Sequence, residues 1–153
     1  MTTDLQFDSI VNDLQRSGRF ASVEATDDAV RCRALEVESD AFYVLTRSET
    51  SGGLVVRFET PDRWLSESVE ADLYHASDSL DELLEESLDE LDWPVDAAPV
   101  GTFRHYRSDD LKYVFEHDVP DHGDPAQTAC TWLLAYEATF HELGDVAGGD
   151  EED

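Results

Sequence analysis

Apolar residues recur along this chain with two periods, and the switches between them mark out its elements. Phe7, Ile10, Val11 and Leu14 are spaced as one face of a helix, which predicts a helix over 4–17. Thr3 and Gln6 have capping-box spacing, and Gly18 supplies a stop. The pattern then shortens. Runs at 20–25 and 30–37 read as strands about a Thr26-Asp27-Asp28 turn. Runs at 42–47 and 54–59 read as two more, joined through Ser51-Gly52-Gly53. Turns this short favour an antiparallel meander.

Pro61 ends that region. Over 62–75 both periods fit in part, and a helix is expected only for the first half. Leu80, Leu83, Leu84, Leu88 and Leu91 form one stripe, predicting a helix over 80–91 closed by Trp93-Pro94. Ser79 and Glu82 have capping-box spacing, and Asp81, Glu85, Glu86, Asp89 and Glu90 are assigned to the polar faces. Segments 102–106 and 111–119 read as a hairpin through Arg107-Ser108-Asp109-Asp110. The last helix starts at Pro125 behind an Asp124 cap and stops near Gly144. Ala129, Leu133, Tyr136, Phe140 and Leu143 give it a long apolar face, and Trp132 lies beside that face.

Helices with one apolar face each need a surface to cover. The fold class expected is α+β: an antiparallel sheet with helices packed on one face, a two-layer sandwich. One domain is expected over 1–147, with 148–153 as a disordered acidic tail. The pattern does not say whether the last hairpin joins the first sheet. The order of a helix at 4–17, strands at 30–37, 42–47 and 54–59, a helix at 80–91, a strand pair within 102–119 and a helix at 125–143 resembles the YbjN and type III secretion chaperone group. That resemblance implies a protein-binding or regulatory module, usually dimeric, without catalytic residues.

Charge changes the picture most. The chain has 153 residues with 37 acids against 10 basic residues, a net charge of −27. The acids are spread along the whole chain, and Lys112 is the sole lysine. Such a domain repels itself in dilute buffer. The repulsion is screened when the Debye length falls to about 3 Å at molar salt. The pattern resembles the proteome-wide signature of salt-in halophilic archaea, so a small acidic haloarchaeal protein in a high-salt environment is expected. On that reading acidity reports habitat, not basic partners. A phosphate backbone asks for a Lys/Arg footprint, so nucleic acid is not expected as a partner. No apolar run is long enough for a membrane span, and the N-terminus has no signal-peptide pattern. Two distant cysteines, Cys32 and Cys130, imply neither a metal motif nor a disulfide framework. A reduced cytoplasm is the expected location.

Candidate chemistry is sparse. The chain contains no phosphate-binding glycine loop, HExxH, CxxC or nucleophile elbow, and no cofactor is implied. His117, Asp121 and His122 lie together in sequence, and His141 follows on the last helix, four residues beyond Glu137. Imidazoles and carboxylates of this kind bind zinc, iron or manganese; the plainer reading is a set of surface histidines where the last helix begins. Arg31, Arg33, Arg47 and Arg57 fall in expected strands and could share one sheet face as an anion platform. Nearby Glu36, Glu38 and Glu59 equally suit charge pairing across a solvated sheet. The expected function is a non-catalytic protein-interaction or regulatory domain, with a protein partner or a second copy in a homodimer. A metal-dependent enzyme using the His/Asp cluster, and a small-molecule-sensing domain, are the alternatives.

Overall fold

The computed structural model describes residues 7–26, 29–34, 41–47, 53–75, 80–97, 100–101, 103–108, 112–120 and 125–140. The expected cap residues Thr3, Gln6, Ser79 and Asp124, strand positions 35–37 and the tail 148–153 lie outside these. The elements run α1 (Phe7–Ser17), β1 (Phe20–Ala25), β2 (Ala29–Ala34), β3 (Phe42–Arg47), β4 (Leu54–Thr60), α2 (Arg63–His75), α3 (Leu80–Glu90), β5 (Arg104–Arg107), β6 (Tyr113–Val119) and α4 (Pro125–Phe140). The six strands form one sheet in the order β1-β2-β3-β4-β6-β5, every neighbouring pair antiparallel. The last hairpin therefore joins the first sheet, through β6 beside β4. The fold is α+β, as the pattern predicts.

Strand alternation puts the core on one side of the sheet. Val30, Cys32, Tyr43, Leu45, Val56, Phe58 and Phe115 share that side and form one apolar cluster with Ile10 and Leu14 of α1, Leu65 and Val69 of α2, Leu80, Leu84 and Leu88 of α3, and α4. Val44, Val55 and Val114 are buried too but stand outside the cluster, on the opposite side of the pleat. Helix α4 contacts β3, β4 and β6 and is flanked by α1 and α3. This explains why Trp132, beside the main apolar face, is fully buried, with its ring 5.7 Å edge-on to Trp93. Phe140 stacks on Phe58 at 4.6 Å.

Helix α2 extends through the whole ambiguous segment, beyond the half expected. Asp62 Oδ1 accepts the backbone N–H groups of Trp64 and Leu65, at 2.9 and 3.3 Å, forming an N-cap. Leu65 and Val69, four apart, are buried, whereas the alternation of Val69, Ala71 and Leu73 is incidental. Helix α1 stops where Gly18 takes φ +70° and donates its N–H to the Gln15 carbonyl. At the end of α3, Asp92 takes φ +66°, with Trp93 N–H donating to Leu88 O and Asp92 N–H to Asp89 O, each at 3.0 Å. That is a Schellman ending with aspartate in the position glycine usually holds. None of the helices among the described residues is long and apolar enough to cross a membrane.

Candidate functional site

The inward side of β6 carries Tyr113, Phe115, His117 and Val119. His117 is fully buried and so is not a surface histidine. Its Nδ1 lies 2.7 Å from the Tyr136 hydroxyl on α4, and its Nε2 lies 2.7 Å from Asp81 Oδ1 on α3. Asp81 Oδ1 also accepts the Phe103 N–H at 3.0 Å. Burial drives the imidazole below its ordinary value, against the opposing Asp81 carboxylate. Burial likewise holds Tyr136 well above the usual phenol range. A neutral ring suits these partners: Tyr136 O–H donates to Nδ1, and Nε2–H donates to the Asp81 carboxylate. The arrangement joins α3, β6 and α4, and binding a metal at His117 would displace one of the two partners. His122, His141 and Asp121 lie outside the described residues. Among the described residues no group of three His, Cys, Asp or Glu side chains is placed to hold a metal ion. His105 is held elsewhere, stacked on Phe115 at 3.8 Å with Nε2 2.9 Å from Glu70.

The opposite side of the sheet is built of charge over valine. Register places Arg31, Val44, Arg57 and Glu116 side by side across β2, β3, β4 and β6, with Glu24 of β1 and Arg104 of β5 at the two ends of the row. A second row holds Arg33, Phe42, Glu59 and Val114. Of the four candidate arginines, Arg31, Arg33 and Arg57 thus share this face. Arg47 pairs with Leu54 on the other parity, at the end of β3, and is exposed.

Glu116 receives Arg57 Nε at 2.8 Å, Arg104 Nε at 2.7 Å and the Tyr106 hydroxyl at 2.9 Å. Burial alone would raise its carboxyl, but hydrogen bonds from Arg104, Tyr106 and Arg57 outweigh this and hold it below the usual range. Arg104 also forks onto Asp118, at 2.9 and 3.2 Å, and lowers that carboxyl. Glu59 lies 3.4 Å from Lys112 Nζ and 3.6 Å from Arg31 Nη1. The Arg31 guanidinium stands 3.9 Å over the Phe42 ring, and that of Arg33 5.5 Å from it. The cations are outermost: Arg31, Arg57 and Arg104 keep 37, 32 and 43% of their side-chain surface exposed, against 8% for Glu59 and Glu116. Long Arg stems cover apolar surface while their heads stay wet.

The reading of charge pairing across a sheet holds for Arg31 with Glu59, while Glu36 and Glu38 lie outside the described residues. Sequence reasoning missed Asp81 and Tyr136 as partners of His117, and Glu116, Arg104 and Tyr106 as the centre of the charged face. One signal was legible: His117 shares its alternation with Phe115 and Val119, which marks an inward position. No family model matches this chain, and no curated protein or solved structure matches it.

Proposed function

We propose that this protein is a non-catalytic interaction or regulatory domain that makes its contacts through the face of its sheet that carries no helix among the described residues. The observation that carries this reading is a set of outward guanidinium groups, with Phe42 and Tyr106, laid over buried carboxylates and valines on the side away from the helical core. Isolated partly exposed ion pairs add little stability, whereas Arg and aromatic side chains are the groups enriched at contact centres. Ile10 and Leu14 of α1, Leu80, Leu84 and Leu88 of α3, and Leu133, Tyr136 and Phe140 of α4 are consumed in the core, whereas Leu91, expected in the α3 stripe, lies past the helix and is exposed. Trp64 and Tyr74 of α2 are exposed as well, and it is the arginine-rich composition of the sheet face that favours the sheet as the contact surface. Apart from the additional strand β1, the order of elements resembles that of the YbjN and type III secretion chaperone group, a resemblance that implies a binding module. A net charge of −27 supports a salt-rich cytoplasm as its setting.

The test places a photo-reactive phenylalanine analogue at Phe42, and separately at Glu86 on α3, in cells grown at high salt. Face-directed contact gives adducts from position 42 and none from position 86. No adduct from position 42, or equal adducts from both positions, overturns the reading.

A further inference from the structure

We infer that the partner seated on this face is a short acidic segment of another protein, held in extended form by Arg31 and Arg57 across the valley floored by Val44. The choice of partner rests on the contact face proposed above. Five of the ten basic residues, Arg31, Arg33, Arg57, Arg104 and Lys112, gather on this one side of a chain whose net charge is −27. Their counter-charges lie beneath them. Glu59 and Glu116 are buried and are met by Arg31, Lys112, Arg57 and Arg104 of the same chain. The layer that a partner meets is therefore guanidinium. Two exposed acids, Glu24 on β1 and Asp118 on β6, stand at the margins, and Asp118 is already forked by Arg104.

The two inner arginines are set for carboxylates. Arg57 gives its Nε to Glu116 at 2.8 Å, and among the described residues its terminal nitrogens make no hydrogen bond. The Arg31 guanidinium lies 3.9 Å over Phe42 and approaches Glu59 at 3.6 Å. Heads held in place before binding lose little freedom on binding, and each planar fork matches a carboxylate with two parallel hydrogen bonds. Val44, on the strand between them, is short enough for a backbone to come close. Arg31 and Arg57 stand two strand spacings apart, about 10 Å. Carboxylates three residues apart on an extended chain span about the same distance. Nucleic acid fits this face less well. A phosphate backbone asks for cations along its whole length, and here it meets Glu24, Asp118 and the overall negative charge. At molar salt, where the Debye length is about 3 Å, long-range attraction is lost while fork pairing at contact distance survives. A face with four arginines and the sole lysine suits that regime.

The test uses the full chain and a fluorescein-labelled peptide of four Glu-Gly-Ser repeats in about 2 M KCl, read by fluorescence anisotropy. Saturable binding is expected, with the matching Gln-Gly-Ser peptide bound at least about tenfold more weakly. Arg31→Gln and Arg57→Gln are each expected to weaken binding about tenfold, as loss of a hydrogen bond to a charged group implies. Arg63→Gln, on α2, leaves it unchanged. Arg57→Gln also strips a partner from buried Glu116, so Arg31→Gln decides if that variant does not fold. No saturable binding, or equal binding by the Gln peptide or by a folded Arg31→Gln, overturns the inference. An oligo-dT strand bound more tightly than the peptide puts a phosphate backbone in place of the acidic segment. Binding that strengthens about tenfold when Asp150→Asn, Glu151→Gln, Glu152→Gln and Asp153→Asn are combined gives the face to the chain's own tail. A wild-type dimer that Arg31→Gln dissociates in sedimentation gives it to a second copy. If no peptide binds but position 42 yields its photo-adduct, the contact face stands and the acidic partner does not. If there is no adduct either, both fall.

Discussion

His117 and Tyr136 are 19 residues apart in the chain, yet His117 Nδ1 lies 2.7 Å from the Tyr136 hydroxyl, in a site closed to water. Asp81 completes the link from α3 on the other ring nitrogen. Tyr136→Phe keeps the ring packing but leaves Nδ1 as a buried acceptor without a donor. That change is expected to cost about 1–3 kcal/mol, read as a lower urea midpoint at unchanged slope. A midpoint equal to that of the wild type would show that water or a shifted side chain replaces the phenol.

The same ring predicts a pH dependence. Burial places the folded His117 below its ordinary value despite Asp81, so the unfolded chain takes up the proton first as pH falls. The stabilisation is complete above about pH 6.5 and declines below it by up to about 1.4 kcal/mol per unit until the folded value is reached. Stability of the wild type is expected to fall from pH 7 towards 5.5, ahead of the carboxylates, while His117→Gln shows a flatter profile there. Equal slopes in the two proteins would place the dependence on another group.

The two left-handed helix ends predict mutations of opposite sign. Gly18 has φ +70° and nothing within 4 Å of an added Cβ, so Gly18→Ala costs backbone strain without a clash. A loss of about 1 kcal/mol is expected. Asp92 holds φ +66° with a side chain and adds a negative charge where the α3 dipole is already negative. Asp92→Gly is expected to gain about 0.5–1 kcal/mol. Thermal melts of the two variants check both signs.

The two cysteines are expected to differ in reactivity. Burial, with a further contribution from Cys130, pushes the Cys32 thiol up to about 12. Cys130 is only partly buried. A thiolate reagent at pH 8 should label Cys130 in the folded protein and Cys32 only on unfolding, since the thiolate is the reactive form. Mass spectrometry of the labelled chain reads the order, and early labelling of Cys32 would contradict its placement.

Periodicity was sufficient to locate the buried sides of the elements. Ile10 and Leu14, Leu80, Leu84 and Leu88, and Leu133, Tyr136 and Phe140 are all inside where their spacing places them, because a helix has one face to bury and the spacing names it. The strands at 42–47 and at the start of 54–59 were legible for the same reason. What the local pattern does not carry is the partner. Asp81 borders the apolar stripe of α3 and by spacing belongs to its polar faces; it meets His117 of β6, 36 residues on, only because the tertiary fold brings that strand to this flank of the helix. Trp132 is inside because α1 and α3 cover both sides of α4. Arg57 and Glu116, 59 residues apart, meet because β6 inserts beside β4 rather than forming a separate hairpin. Side-chain period and turn chemistry are properties of a few neighbouring residues. Strand order, register and the pairing of charges across them depend on the free energy of the whole assembled sheet, and only the tertiary structure decides them.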